Sequence, residues 1–155
     1  REGNCLVGRE RLSPDYEDCM SKGKIRPFSR GKSLARREIE SASLDLERAQ
    51  KTHLEGDYKW PTIQLYYSMF HSARALLYSR NLREHSHFCL VAAIRALFVE
   101  THQLSNSMLD GLKEAKSLRE DADYYGRWSK KGCKRLLKTA HGFLEQSKKL
   151  VAKTN

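Results

Sequence analysis

Gln64, Tyr67, His71, Arg74 and Tyr78 recur at steps of three and four residues, the spacing of one helical face. Among them are an imidazole, which exchanges protons near neutral pH, and a guanidinium, whose fork of donors matches carboxylates and phosphates. The flanking positions are apolar. Ile63, Tyr66, Phe70, Ala73 and Leu77 form one row, and Leu65, Met69 and Leu76 an adjacent one. A helix so apolar belongs at the centre of a bundle or in a subunit interface. A buried guanidinium is costly without an anion beside it. Arg74 therefore requires an acidic side chain from another helix, a second subunit, or a phosphate. The stripe reads either as a satisfied polar network inside the fold or as a cleft facing a ligand or a dimer partner. Arg119 and Asp123, four residues apart, share a second helical face and can pair there.

Charge narrows the class of partner. The chain has 155 residues and a net charge of +10, concentrated at its ends. Residues 127–155 hold nine basic side chains, Lys130, Lys131, Lys134 and Arg135 among them, against Glu145 alone, and residues 1–37 hold ten against five acidic. A cationic surface of this kind concentrates polyanions, so nucleic acid, nucleotide or acidic protein are the natural partners; the plain alternative is a lysine-rich solvated face. No phosphate-binding loop, dinucleotide fingerprint, zinc ligand set or nucleophile elbow is present, which leaves kinase, dehydrogenase and metallohydrolase readings without support. No metal and no cofactor are expected.

The elements that must position these groups are helical. Residues 1–28 hold three glycines and two prolines with little periodicity, and read as an irregular arm with room for one short helix. Residues 29–155 read as one bundle domain. Ala35, Ile39, Ala42, Leu46 and Ala49 mark a helix over about 33–54, ended by Gly56 and Asp57. The second runs over about 60–80, with Pro61 in its first turn. A third spans about 87–101, and a fourth carries Leu109, Leu112, Ala115, Leu118 and Ala122 up to Gly126. The fifth, about 129–153, has Cys133, Leu137, Ala140, Leu144 and Val151 on one seam. No strand-length alternation or hairpin signal appears. The fold class is therefore all-α, an up-and-down antiparallel bundle of four to five helices.

No apolar stretch approaches the roughly 20 residues of a membrane span, and no N-terminal segment has the form of a secretory signal. Cys5, Cys19, Cys89 and Cys133 lack metal-ligand spacing. They are expected as thiols of a reducing cytoplasm, with Cys89 and Cys133 as small buried apolar residues.

The string Tyr66-Tyr67-Ser68-Met69-Phe70-His71-Ser72-Ala73-Arg74-Ala75-Leu76-Leu77 resembles the second-helix signature of one branch of the HEPN family. Ser86-His87, opening the third helix, and Leu118-Arg119-Glu120-Asp121-Ala122-Asp123-Tyr124 resemble two further motifs of that branch, in the same order. The resemblance covers roughly residues 33–153. It implies a helical bundle that forms homodimers, binds nucleotide or RNA, and works with a minimal nucleotidyltransferase as a toxin–antitoxin pair. In many members it also implies a metal-independent ribonuclease, in which an arginine and a histidine with four to six residues between them activate the RNA 2′-hydroxyl and stabilise phosphate charge.

Here the expected histidine place after Arg119 holds Tyr124. Tyrosine is a poor general base near neutral pH, since its phenol ordinarily titrates at about 10. The Arg–His spacing recurs at Arg80 with His85 and with His87, in a turn between helices. A composite cleft is the alternative, drawing on Arg74, His87, Arg119 and Asp123. Catalytic candidates are thus His87, Arg119, Arg80 and His85, and ligand-binding candidates are Tyr67, His71, Arg74, Asp123 and Tyr124. Lys130, Lys131, Lys134 and Arg135 are candidates for nucleic acid. A purely structural helical dimer is the third reading.

Overall fold

The computed structural model describes residues 13–154. Cys5 and residues 1–12 of the expected arm lie outside them. The elements are α1 (Pro14–Ser21), β1 (Ile25–Pro27), α2 (Gly31–Leu54), α3 (Lys59–Tyr78), β2 (Leu82–Glu84), α4 (His87–Ile94), α5 (Asn106–Tyr124) and α6 (Lys130–Ala152). A five-residue π-helical turn, Arg95–Val99, prolongs α4. The result is the all-α bundle that the apolar periodicity predicts. Two strands are added to it, each three residues long and pairing antiparallel with Ile25 opposite Glu84. Three residues are too few to display alternation.

The helix that is apolar on two stripes is the central one: α3 packs against α2, α5 and α6. Leu65, Met69, Leu76 and Leu77 are fully enclosed, as are Leu90 and Ile94 of α4, Leu112 of α5 and Phe143 of α6. Each such side chain contributes about 1.5–3 kcal/mol through burial. Ala35, Ala42 and Ala49 let α2 lie close to α3, and Ser68 of α3 donates to the Ala42 carbonyl at 2.8 Å within that contact. Helix starts are defined by side chains. Asp57 accepts from the Lys59 and Trp60 amides, and Ser86, Ser105 and Ser129 cap α4, α5 and α6.

The cysteines correct the expectation. Cys89 is buried, but it is not a free thiol: it forms a disulfide with Cys19, 70 residues away, with the Cα atoms 5.8 Å apart. The bond fastens α1 to the first turn of α4. Cys133 is free and buried. Among the described residues no helix is long and apolar enough to cross a membrane.

The start of α2 is tied to the end of α3. Asn81, in the left-handed region at φ 54°, accepts from the Lys32 amide through Oδ1 at 3.0 Å, and its carbonyl accepts from Phe28 at 2.7 Å. Gly31 is pressed into this junction, where a Cβ would stand 2.5 Å from the Tyr78 carbonyl oxygen. Backbone cannot rotate away as a side chain can. Gly31→Ala is therefore expected to destabilise the fold by about 1–3 kcal/mol, read as a lower urea midpoint at unchanged slope.

Candidate functional site

Three members of the polar stripe of α3, Tyr67, His71 and Arg74, are met by groups from other elements, while the buried Gln64 Oε1 has no partner among the described residues. At its N-terminal half Tyr66 and Tyr67 stand edge to face, with centroids 5.3 Å apart. Arg119 of α5 reaches across them. Its Nη2 donates to the Tyr67 hydroxyl at 3.1 Å and lies 3.4 Å from Asp123 Oδ2. Its guanidinium carbon is 5.5, 5.6 and 5.2 Å from the Tyr66, Tyr67 and Tyr124 rings. Contacts of this kind hold a cation by ring quadrupoles. Burial alone would lower the Arg119 pKa, but Tyr67, Tyr124, Asp123 and Tyr66 together hold it above its ordinary value. The Nε atom is buried with no partner. The side chain is thus held by aromatic faces, one hydroxyl and a long ion pair, which leaves its charge less fully answered than a bidentate carboxylate would, and a phosphate matches a guanidinium in that state.

His87, the first residue of α4, joins this group through Tyr66, whose hydroxyl lies 3.2 Å from Nδ1. Burial, helped by the charge of Lys116 and opposed by Glu120, pushes its pKa down from 6.5 to about 4. The ring is therefore neutral at neutral pH. Burial also raises the Tyr66 phenol. Tyr66 is the member that sequence reasoning missed, because its position on the apolar stripe assigned it to the core. Its hydroxyl, on an otherwise dry row, was the available signal.

Further along α3 the stripe is satisfied within the chain. Arg74 lies 4.4 Å over Phe70 and donates through Nε and Nη2 to Glu84 Oε1 at 2.9 and 2.6 Å. The Glu84 side chain is 3% exposed, so this is the anion that a buried guanidinium requires. Burial would lower the Arg74 pKa, yet Glu84 outweighs it and the pKa is raised. His71 meets Glu38 at 2.6 Å and Asp45 at 3.8 Å, both from α2. Glu84 sits in a three-residue strand that carries no pattern. Glu38 and Asp45 stand seven apart, two turns along one edge of α2, and could have been read as partners for that stripe.

The other candidates are dispersed. Arg80 lies 4.8 Å over Phe98, and His85 is exposed beyond β2 with its amide bonded to the Lys24 carbonyl. The described residues show no hydrogen bond or ion pair joining Arg80 to either histidine. On α6, Lys131 and Lys134 are exposed and Lys130 lies 5.7 Å over the Tyr58 ring. Arg135 donates through Nε to Glu114 of α5 at 2.6 Å. Beside them, Lys59 lies between the half-exposed rings of Trp60 and Trp128, at 5.2 and 5.5 Å. This aromatic–basic patch was not foreseen, since Trp60 and Trp128 are far apart in sequence. Among the described residues no three His, Cys, Asp or Glu side chains are grouped to hold a metal ion.

Residues 35–150 match the model of the family described as HEPN domain. A candidate toxin of Methanocaldococcus jannaschii is 28% identical over 119 residues, covering 76% of this chain and 81% of that protein. A Thermus thermophilus protein of known crystal structure aligns with a TM-score of 0.64 at 16% identity, covering 76% of this chain and 98% of its own. That second likeness is one of fold.

The position of His87 has a measurable consequence. Between pH 6.5 and about 4 the unfolded chain takes up a proton that the folded chain refuses. Its contribution to stability is complete above 6.5 and is lost as pH falls through that window. An NMR titration is expected to place the His87 midpoint near 4, and His87→Gln is expected to flatten the acid-side decline in melting temperature. A midpoint near 6.5, the ordinary value, would show that the ring is solvated.

Proposed function

The chain belongs to the HEPN domain family, and from that premise we propose that it binds RNA or nucleotide as one component of a toxin–antitoxin module. Arg119 is its phosphate ligand and a small nucleotidyltransferase its partner. One observation carries the reading. Arg119 is held among three tyrosine rings with its one carboxylate partner at 3.4 Å, whereas Arg74 gives two short hydrogen bonds to the buried Glu84. The name of the M. jannaschii relative supports the toxin assignment. Tyr124 and Tyr125, 65% and 66% exposed, Trp60 and Trp128 offer faces on which bases stack, beside the basic start of α6.

A ribonuclease is the second reading, favoured by one fact: His87 and Arg119 both stand against Tyr66. In such a cleavage a base removes the 2′-hydroxyl proton, that oxygen attacks phosphorus, and the 5′-oxygen leaves with a proton. A histidine titrating near 4 is deprotonated at neutral pH but is a weak base, and little of it is charged for the second transfer. Binding is therefore placed first.

Purified protein incubated with RNA in chelator separates the two. Arg119→Ala is expected to weaken RNA binding about ten-fold or more, the scale of a charge-assisted hydrogen bond. Retained affinity in that variant would remove Arg119 from the site. Cleavage by the wild type, lost in His87→Ala, would instead establish the enzyme. Co-expression with the transferase is expected to yield a complex containing a homodimer of this chain by light scattering. Independent purification as a monomer would end the module assignment.

The basic helix has its own signature. Replacing Lys130, Lys131 and Lys134 with Ala is expected to reduce the salt slope of RNA binding by up to about 2, at roughly 0.7 per phosphate contact on a single strand. Arg135→Ala is expected to change it little, because Glu114 already pairs with that guanidinium. An unchanged slope in the triple variant would return α6 to a solvated face.

A further inference from the structure

Among the described residues no hydrogen bond or ion pair joins α1 to another helix. Its polar contacts stay local: Lys22, just beyond its end, meets Asp18 at 2.9 Å, and the Lys24 amide donates to the Cys19 carbonyl at 2.9 Å. Two buried side chains, Tyr16 and Cys19, and the Cys19–Cys89 bond hold α1 in place. A helix of eight residues is marginal in water when left to itself. The state of the bond therefore decides how firmly α1 stays on α4. Each cysteine is 2% exposed, yet both line a cavity of about 300 Å³ between the end of α1 and the start of α4. Lys22, Lys24 and the exposed ring of Phe88 stand in its wall. Asp18 answers Lys22, while Lys24 has no ion pair among the described residues. Two lysines against one carboxylate leave the entrance cationic, so it draws anions more than neutral molecules. Cys89 lies in the first turn of α4, with its amide bonded to Ser86 Oγ at 3.1 Å. That end of a helix favours negative charge.

We propose that Cys19–Cys89 is a reversible redox site, open to a small anionic thiol through this cavity, and that its reduction releases α1 from the start of α4. A thiolate entering past Lys24 attacks Cys19 Sγ and forms a mixed disulfide there. The Cys19–Cys89 bond breaks, and its electron pair leaves on Cys89 Sγ, at the helix end that favours negative charge. A second thiolate of the reagent attacks the reagent sulfur of the mixed disulfide, and Cys19 departs as a thiolate. Two reagent thiols are thereby oxidised to one disulfide, and the protein gains two electrons and two protons as the thiols of Cys19 and Cys89. With the covalent tie gone, only the burial of Tyr16 and Cys19 opposes the departure of α1. Phe88 also borders the cavity of about 260 Å³ that Asp15 of α1 shares with His87, so the same movement opens the wall beside that imidazole. None of this depends on whether RNA binds at Arg119.

The test treats the full oxidised chain, without denaturant, with glutathione or with uncharged mercaptoethanol, and follows the bond by alkylation and peptide mass. Glutathione is expected to reduce it while the chain stays folded, with the transient mixed disulfide on Cys19. Lys24→Glu, at an exposed position, is expected to slow glutathione about three-fold or more and to leave mercaptoethanol within about two-fold. Amide exchange over residues 14–21 is expected to quicken about ten-fold or more in the reduced chain, with the α3 amides unchanged. Oxidised glutathione is expected to restore the protection. Reduction only where denaturant unfolds the chain would make the bond a structural one and overturn the site. Equal exchange of α1 in the two states would overturn the release, and a glutathione rate indifferent to Lys24→Glu would overturn the entry route.

Discussion

A helix enclosed on most sides that still carries charge must have its polar groups answered from elsewhere in the chain, and α3 is such a helix. Moving an unpaired guanidinium or imidazolium out of water costs several kcal/mol, more than any single packing contact returns. The surrounding elements are placed accordingly. α2 brings Glu38 and Asp45 to His71, β2 brings Glu84 to Arg74, and α5 brings Arg119 to Tyr67. α4 starts where its first side chain reaches Tyr66. The two short strands follow from the same requirement, since pairing Ile25 with Glu84 is what holds that carboxylate under Arg74. Packing joins the helices, and the polar stripe fixes which parts of them meet.

The two arginines facing α3 differ in what is left for a ligand. Arg74 gives two donors to one carboxylate oxygen and covers Phe70, so its charge is spent inside the fold. Arg119 is held mainly by aromatic faces, with one hydroxyl and an ion pair at 3.4 Å. Ring quadrupoles hold a cation without occupying its hydrogen-bond donors. An arginine held in that way keeps more of its charge for an anion than one spent on a buried carboxylate.

How far the sequence discloses this depends on the range of each interaction. Helices α2, α3, α5 and α6 run for about twenty residues each, long enough for a period of 3.6 to stand out. The π turn, the three-residue strands and the Cys19–Cys89 bond leave no periodic trace, and cysteine pairing is not written in spacing. The stripe on α3 was legible as needing partners, and Arg119, Asp123, Tyr124 and His87 as members of motifs. The identity of the partners was not. Glu84 reads as a turn residue and Tyr66 as a core residue until the fold sets them beside Arg74 and His87. The cavity of about 260 Å³ lined by Asp15 of α1, Phe88 of α4 and Lys113 of α5 draws on three elements at once and is invisible in any one of them.

The Cys19–Cys89 bond also restricts what the unfolded chain can be. The two thiols bracket β1, α2, α3 and β2, so the bond closes a ring of chain around the central α2–α3 pair. Unfolded, such a ring has far fewer conformations than the open chain, so the oxidised bond favours the α2–α3 hairpin over its alternatives. Only a chain in which that hairpin has turned back on itself brings Cys19 to the start of α4. In the oxidised chain α1 and α4 stay joined even where α5 and α6 detach, so the half of the bundle that lacks Arg119 remains a loop closed on itself.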